Sequence, residues 1–133
     1  MVAPVELRLV VVTPETTLLD EAVRSIQFPL FDGQMGVLPS RAPAIGRLGA
    51  GELRFETGGG ERRFFVDGGF LQIKGPVVTL LTNRAFPIEQ IDAATAQAEY
   101  DAAMAMKPTD DAGFELKQKS LDRAREMLRL KRG

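Results

Sequence analysis

The sequence predicts an antiparallel β-sandwich of roughly eight to ten short strands over residues 1–86, followed by an antiparallel two-helix hairpin over residues 87–133. Three observations predict it. Apolar and polar residues alternate with a period of two in the first part of the chain, as in strands that bury one face. Clusters of glycine and proline interrupt that alternation at short intervals. After Phe86-Pro87 the period lengthens and the composition shifts to alanine and charge.

Each element follows in order. Val5, Leu7, Leu9 and Val11 alternate with Glu6 and Arg8, and Thr13-Pro14-Glu15 ends that strand because proline cannot donate to a central ladder. Strands over 16–19 and 22–28 follow, then a glycine- and proline-rich stretch over 31–43. Leu53 and Phe55 alternate with Glu52, Arg54 and Glu56, and Gly58-Gly59-Gly60 turns the chain into a partner strand at 63–67. Strands at 70–74 and 77–82 are separated by Gly75-Pro76. Asp92 is placed to cap a first helix over 93–106, whose body holds seven alanines. Residues 107–113 break it, and a second helix over 114–131 carries Leu121, Ala124 and Leu128 at helical spacing with Met127 alongside. An acidic first arm then faces a basic second arm. The apolar stripe is narrow, so the pair is expected to be weakly held.

The stretch from Phe31 to Pro43 is the most distinctive. Gly33 and Gly36, Asp32 before the first, and Pro39 and Pro43 describe a rigid, shaped loop around Met35, Val37 and Leu38. Two readings stand: a surface presented to a partner, or an ordinary hairpin turn in a β-domain.

Composition excludes much. The 133 residues suit one domain, or one domain with an appendage, and the net charge of −1 hides a neutral body and a charge-segregated tail. Glu89, Asp92, Glu99 and Asp101 precede Lys107, whereas Lys117, Lys119, Arg123, Arg125, Arg129, Lys131 and Arg132 crowd the end, as a solvated helix face or a docking surface. With no cysteine and no histidine, a disulfide framework, a thiolate or imidazole mechanism, and a zinc or haem site ligated by those residues are excluded. No catalytic residue, metal or cofactor is expected. Gly46-Arg47-Leu48-Gly49-Ala50-Gly51 lacks the ending of a phosphate loop and reads as a turn at a strand end. Asp20-Glu21 and Asp110-Asp111 read as turn acids. Arg62-Arg63 lacks the basic stripe of a nucleic-acid binder, so no nucleic-acid partner is expected. The N-terminus lacks the basic-then-apolar order of a signal, and no apolar run reaches the roughly 20 residues that span a bilayer. An interaction protein remains.

Thr13-Pro14-Glu15, Asp32-Gly33-Gln34-Met35-Gly36-Val37-Leu38-Pro39 with Ala42-Pro43, Val66-Asp67-Gly68-Gly69-Phe70-Leu71, Val77-Thr79-Leu80-Leu81 and Ile91-Asp92 occur in that order. In order and spacing they resemble the epsilon subunit of the bacterial F-type ATP synthase, over about residues 5–131. The resemblance implies a non-catalytic rotor subunit of a proton-translocating complex. It would be a peripheral protein on the cytoplasmic face of the inner membrane, attached through the complex. Its implied partners are the gamma subunit, the ring of c subunits and the alpha/beta catalytic hexamer. Asp32, Gln34 and Met35 would meet the c-ring, and Val37, Leu38, Arg41 and Pro43 the gamma subunit. The hairpin would restrain ATP hydrolysis, with Lys117, Lys119, Arg123 and Arg125 gripping the hexamer. The chain departs from the family's usual loop histidine, with Ser40-Arg41-Ala42-Pro43 in its place, and Gln34 stands where an acid is frequent.

Some members of that family hold ATP on the hairpin through Ile/Leu-Asp-x-x-Arg-Ala. Here Ile91-Asp92-Ala93-Ala94-Thr95-Ala96 carries threonine at the arginine position, so Asp92 with Arg123 is expected to bind ATP weakly or not at all. The rival from another class is a free-standing β-sandwich module for a ligand or a protein partner. Against it, there is no Trp and one Tyr to serve as a sugar platform, and the phenylalanines read as core.

Overall fold

A computed structural model describes residues 7–30, 33–37 and 44–132, with the backbone alone at 33–37 and 44. The chain divides between Pro87 and Ile88 into two compact units.

In the first unit, β1 (Leu7–Val12) buries Leu7, Leu9 and Val11 and turns Arg8 outward, so the alternation in the sequence is an alternation of faces. The chain reverses at Thr13–Thr16, where the Thr13 amide and hydroxyl both donate to the Thr16 carbonyl, at 2.9 and 3.2 Å. Strand β2 (Thr17–Val23) returns antiparallel to β1. Asp20 and Glu21, expected in a turn, lie inside β2 opposite Val10 and Leu9. Cross-strand cations account for them there: Arg8 reaches Asp20 at 2.6 Å and Arg62 reaches Glu21 at 3.3 Å.

Strands β3 (Ser25–Leu30) and β4 (Gly33–Val37) form a hairpin in register from Ile26↔Val37 to Leu30↔Gly33. Part of the stretch expected as a loop is therefore an edge strand, because backbone pairing with β3 outweighs the low strand propensity of Gly33 and Gly36.

Strands β5 (Ala44–Thr57) and β6 (Gly60–Lys74) make one ribbon that keeps a single register from Ala44↔Ile73 to Thr57↔Gly60 across the Gly58-Gly59 turn. They run 14 and 15 residues, so two of the eight described strands are long rather than short. Two expectations change here. The glycines of Gly46–Gly51 lie within β5 rather than at a strand end, and the segments at 63–67 and 70–74 are one continuous strand. Gly68 and Gly69, at φ +68° and +113°, bend β6 without ending it.

At that bend β6 exchanges neighbours. β7 (Val77–Leu81) pairs with residues 70–74, and β8 (Ala85–Pro87) pairs with residues 64–66. β7 also lies beside β1, the single parallel pair among the described strands. The hydrogen-bonded path is β2-β1-β7-β6-β5-β3-β4, with β8 on β6. Leu9, Val11, Val78 and Leu80 from one group of strands meet Ile26, Phe28, Leu53, Phe55 and Val66 from the other, and together they form the sandwich core.

The second unit opens with a 3₁₀ turn at Ile88–Gln90 and continues as α1 (Ala93–Ala105) and α2 (Asp111–Arg132). α2 starts three residues before its expected position, because Asp110 caps it: the Asp110 carboxylate accepts from the Gly113 amide at 2.8 Å. Gly113 reads as a breaker in sequence. In the helix it is the residue that fits, since a Cβ there would stand 2.9 Å from the Asp110 Oδ1 and 3.0 Å from the Pro108 Cβ. The buried face of α2 is Leu121, Ala124, Met127 and Leu130, with Leu128 only half-buried, so its period runs closer to three than expected.

Candidate interaction surfaces

Asp32, Leu38, Arg41 and Pro43 lie outside the described residues, as does most of the shaped loop. Gln34, Met35 and Val37 are placed by their backbone on β4, opposite Pro29, Phe28 and Ile26. β4 stands at the end of the hydrogen-bonded path.

A surface missed in the sequence lies on the β5-β6-β7 layer. Phe70 and Leu81 are a direct cross-strand pair, and Arg47 stands opposite Phe70 on the other side. Ile45, two residues from Arg47 on the same face, is a diagonal neighbour of Phe70. These three apolar side chains are exposed: Ile45 by 80%, Phe70 by 60% and Leu81 by 51%. Phe28, Phe55, Phe64 and Phe65 do occupy buried positions, but Phe70 and Phe114 do not. The signal was present in two adjacent apolar pairs, Phe70-Leu71 and Leu80-Leu81. In a strand, neighbours face opposite ways, so one of each pair must leave the core.

On the far half of the same ribbon, Glu52 is buried to 8% exposure yet charged. Arg63 clasps it through two guanidinium nitrogens, one at 2.9 Å, and Arg54 approaches at 3.0 Å. Burial alone would raise the Glu52 carboxyl; hydrogen bonds from Arg63 and then Arg54 outweigh it and hold the group below its ordinary value. Nearby, Phe65 packs on Phe86 with ring centroids 5.4 Å apart.

In the helical unit, Asp92 is the N-cap of α1. Its Oδ1 accepts from the Ala94 amide at 3.1 Å and its Oδ2 from the Thr95 hydroxyl at 2.8 Å. The Thr95 hydrogen bond, then that of Ala94, draws the carboxyl below its usual range. Both carboxylate oxygens are thus engaged by α1 itself. Among the expected basic contacts, Lys119 and Arg125 are exposed and Arg123 is half-buried. Arg125 pairs with Asp122 and Arg129 with Glu126, each three residues away on α2, so these pairs brace α2 itself. Lys117 instead reaches across to α1, donating to the carbonyls of Met106 at 3.1 Å and Met104 at 3.4 Å. Among the described residues, no helix is long and apolar enough to cross a membrane.

Comparison with known proteins fixes the lineage. Residues 6–88 match the ATP synthase Delta/Epsilon chain beta-sandwich domain family. The ATP synthase epsilon chain of Rhodopirellula baltica is 44% identical over 126 residues, covering 95% of this chain and 98% of that one. A sodium ion specific epsilon chain from Propionigenium modestum is 32% identical over 125 residues, covering 92% and 91%. In structure, the chain resembles one in the OSCP/F1/c-ring assembly of the Euglena gracilis mitochondrial ATP synthase, with a TM-score of 0.81 at 25% identity, over 96% of this chain and 82% of that one. A chain of the Tetrahymena thermophila central stalk and c-ring shares the fold, with a TM-score of 0.77 at 12% identity. On this ground, the chain belongs to the ATP synthase delta/epsilon chain family, with the epsilon chains as its relatives.

Proposed function

We propose that the protein is a non-catalytic subunit of the central stalk of an F-type ATP synthase. Its sandwich links the gamma subunit to the c-ring, and its helical hairpin restrains ATP hydrolysis by the alpha/beta hexamer. It sits peripherally on the cytoplasmic face of the bacterial inner membrane and reaches the membrane only through the complex.

The observation that carries this reading is the exposed row of Ile45, Phe70 and Leu81 on the sandwich. A soluble domain gains nothing by leaving three adjacent large apolar side chains in water, and such a patch marks a protein-docking surface. Phe70 and Leu81 belong to the same two motifs, 66–71 and 77–81, that carry the family resemblance. The stretch over residues 31–43 offers a second contact, with Asp32, Gln34 and Met35 for the c-ring and Val37, Leu38, Arg41 and Pro43 for gamma. Lys117, Lys119, Arg123 and Arg125 supply a cationic helix for the hexamer. Which ion the complex translocates is not a property of these surfaces, and the proton is the expectation from the family.

The test is purification of the tagged protein from detergent-solubilised membranes of its own cells. Gamma, alpha and beta subunits are expected to come with it. Recovery from the soluble fraction alone, without them, would falsify the assignment.

A further inference from the structure

The C-terminal end of α1 carries no basic residue in its last turn. A helix end leaves its last carbonyls without partners inside the helix, and the aligned peptide dipoles make that end negative. α1 meets this need only in part by itself, through the Met106 amide on the Ala103 carbonyl at 3.2 Å. A further donor comes from the other helix. Lys117, half-buried in the second turn of α2, places its ammonium on the Met106 and Met104 carbonyls. The Asp110 cap, which starts α2 early, sets the turn on which Lys117 stands. Lys119, two residues on, is exposed and points to another face of the helix.

We propose that Lys117 is the latch of the helical hairpin: a cation from α2 that neutralises the C-terminus of α1 only while the two helices lie side by side. Parting the helices frees the ammonium and leaves the Met104 and Met106 carbonyls to water. Lys117 therefore biases the closed form, whereas Lys119 and Arg125 show no such dependence on closure. The consequence for regulation rests on the proposed inhibitory role of the hairpin, but the latch itself does not. Among the basic residues of α2, Lys117 then sets how often the hairpin opens, and its neighbours set what the open hairpin binds.

Hydrogen–deuterium exchange on the full chain, without partners, tests the latch. Lys117→Met keeps the apolar stem and removes the ammonium. It should speed exchange in the C-terminal half of α1 about fivefold, the effect of losing roughly one net hydrogen bond. The β-sheet amides should not change, Lys119→Met should match the unmodified chain, and Lys117→Arg should restore slow exchange. Equal exchange in the Lys117→Met and Lys119→Met chains would overturn the latch. Should Lys117→Met melt α2 entirely, Lys117→Arg decides: exchange within about twofold of the unmodified chain supports the latch, and fast exchange despite the retained charge overturns it. In the assembled complex, Lys119→Met and Arg125→Met should weaken inhibition of ATP hydrolysis, and Lys117→Met, which removes a cation of the same helix but also lets the hairpin open more often, should weaken it less than either. Faster exchange with inhibition untouched by all three would keep the latch and remove the hexamer contact.

Discussion

A Cβ placed on Gly69 would stand 1.8 Å from the carbonyl oxygen of Leu81. This approach is where β6 passes from β8 to β7, and Thr82 locks the corner. The Asp67 amide donates to the Thr82 hydroxyl at 3.2 Å and to the Arg84 carbonyl at 3.1 Å, while the Thr82 amide donates to Val12 at 3.0 Å. Gly69 also sits at φ +113°, which side-chain-bearing residues rarely adopt. Both demands fall on one residue, and neither neighbour is a movable side chain. Gly69→Ala is expected to destabilise the sandwich by about 3 kcal/mol or more in urea denaturation, combining backbone strain with a backbone clash. Gly68→Ala should lose only about 1 kcal/mol, because at φ +68° its Cβ would meet nothing nearer than the Leu48 carbonyl at 3.8 Å. Equal losses at the two positions would refute the argument from the close approach.

Glu52 predicts a pH dependence. Its carboxyl, with an ordinary value of 4.5, is lowered in the folded protein, where Arg63 and Arg54 outweigh burial. The unfolded chain therefore takes up this proton first as acid is added. The stabilisation is complete above the ordinary value and is lost as pH falls through the lower folded value. Glu52→Gln should destabilise the protein by about 1–3 kcal/mol at pH 7, because it leaves two half-buried guanidinium groups short of a charge partner. The difference from the unmodified protein should shrink on going from pH 6 to pH 3, followed by urea midpoints. A constant difference across that range would assign the loss to packing instead.

The sequence made the fold legible wherever one periodicity ruled. Leu7, Leu9 and Val11 alternate and are buried, and Asp92 at a helix start is the N-cap. It misled where glycine served two purposes. Gly49 and Gly68 read as strand ends, yet the ribbon passes through both, because glycine permits a bend as readily as a turn. Gly113 likewise reads as a breaker but makes room for the Asp110 cap. The interaction surfaces were the least legible. That Phe70 faces water follows from strand parity across the Gly68-Gly69 bend, and Lys117 reaching α1 depends on where α2 starts, which pattern alone does not set.

Phe70→Asp tests the exposed row. Phe70 is 60% exposed, so the substitution should leave the stability of the isolated protein within about 0.5 kcal/mol. In the complex the same charge would be desolvated in an apolar interface, and recovery of the gamma subunit should fall at least tenfold. Leu81→Asp, directly across the pair, should behave alike. Full retention of gamma by both variants would place the docking surface elsewhere.

Truncation separates the two proposed roles. β8 ends at Pro87 and pairs through it with Phe64, so the cut belongs after Pro87 rather than one residue earlier. The truncated protein should fold, retain gamma and support proton pumping, with ATP hydrolysis less inhibited. In the full chain, replacing Lys119, Arg123 and Arg125 with alanine should relieve inhibition in the same way. The difference should shrink in high salt, since exposed charges are screened over about 8–10 Å. A truncated protein that folds but fails to retain gamma would show that the hairpin is part of the docking surface.

Nucleotide binding is the last expectation, and the geometry of α1 bears on it directly. Asp92 Oδ1 is held by the Ala94 amide and Oδ2 by the Thr95 hydroxyl, so a ligand hydroxyl or amine would have to compete with the helix's own first turn. Thr95 is also the position at which a guanidinium would be needed to meet a phosphate. A missing charge-assisted hydrogen bond lowers affinity about ten- to a hundredfold. Arg123 is half-buried on α2, and one cation alone does not neutralise a triphosphate. Titration calorimetry with ATP and Mg²⁺ should therefore give a Kd no tighter than about 1 mM for the unmodified chain. Thr95→Arg removes the hydroxyl from Asp92 and supplies the cation together, and should tighten binding about tenfold or more. Micromolar ATP binding by the unmodified protein would mean that Asp92 and Thr95 open their mutual hydrogen bond to admit the nucleotide, which the cap geometry argues against.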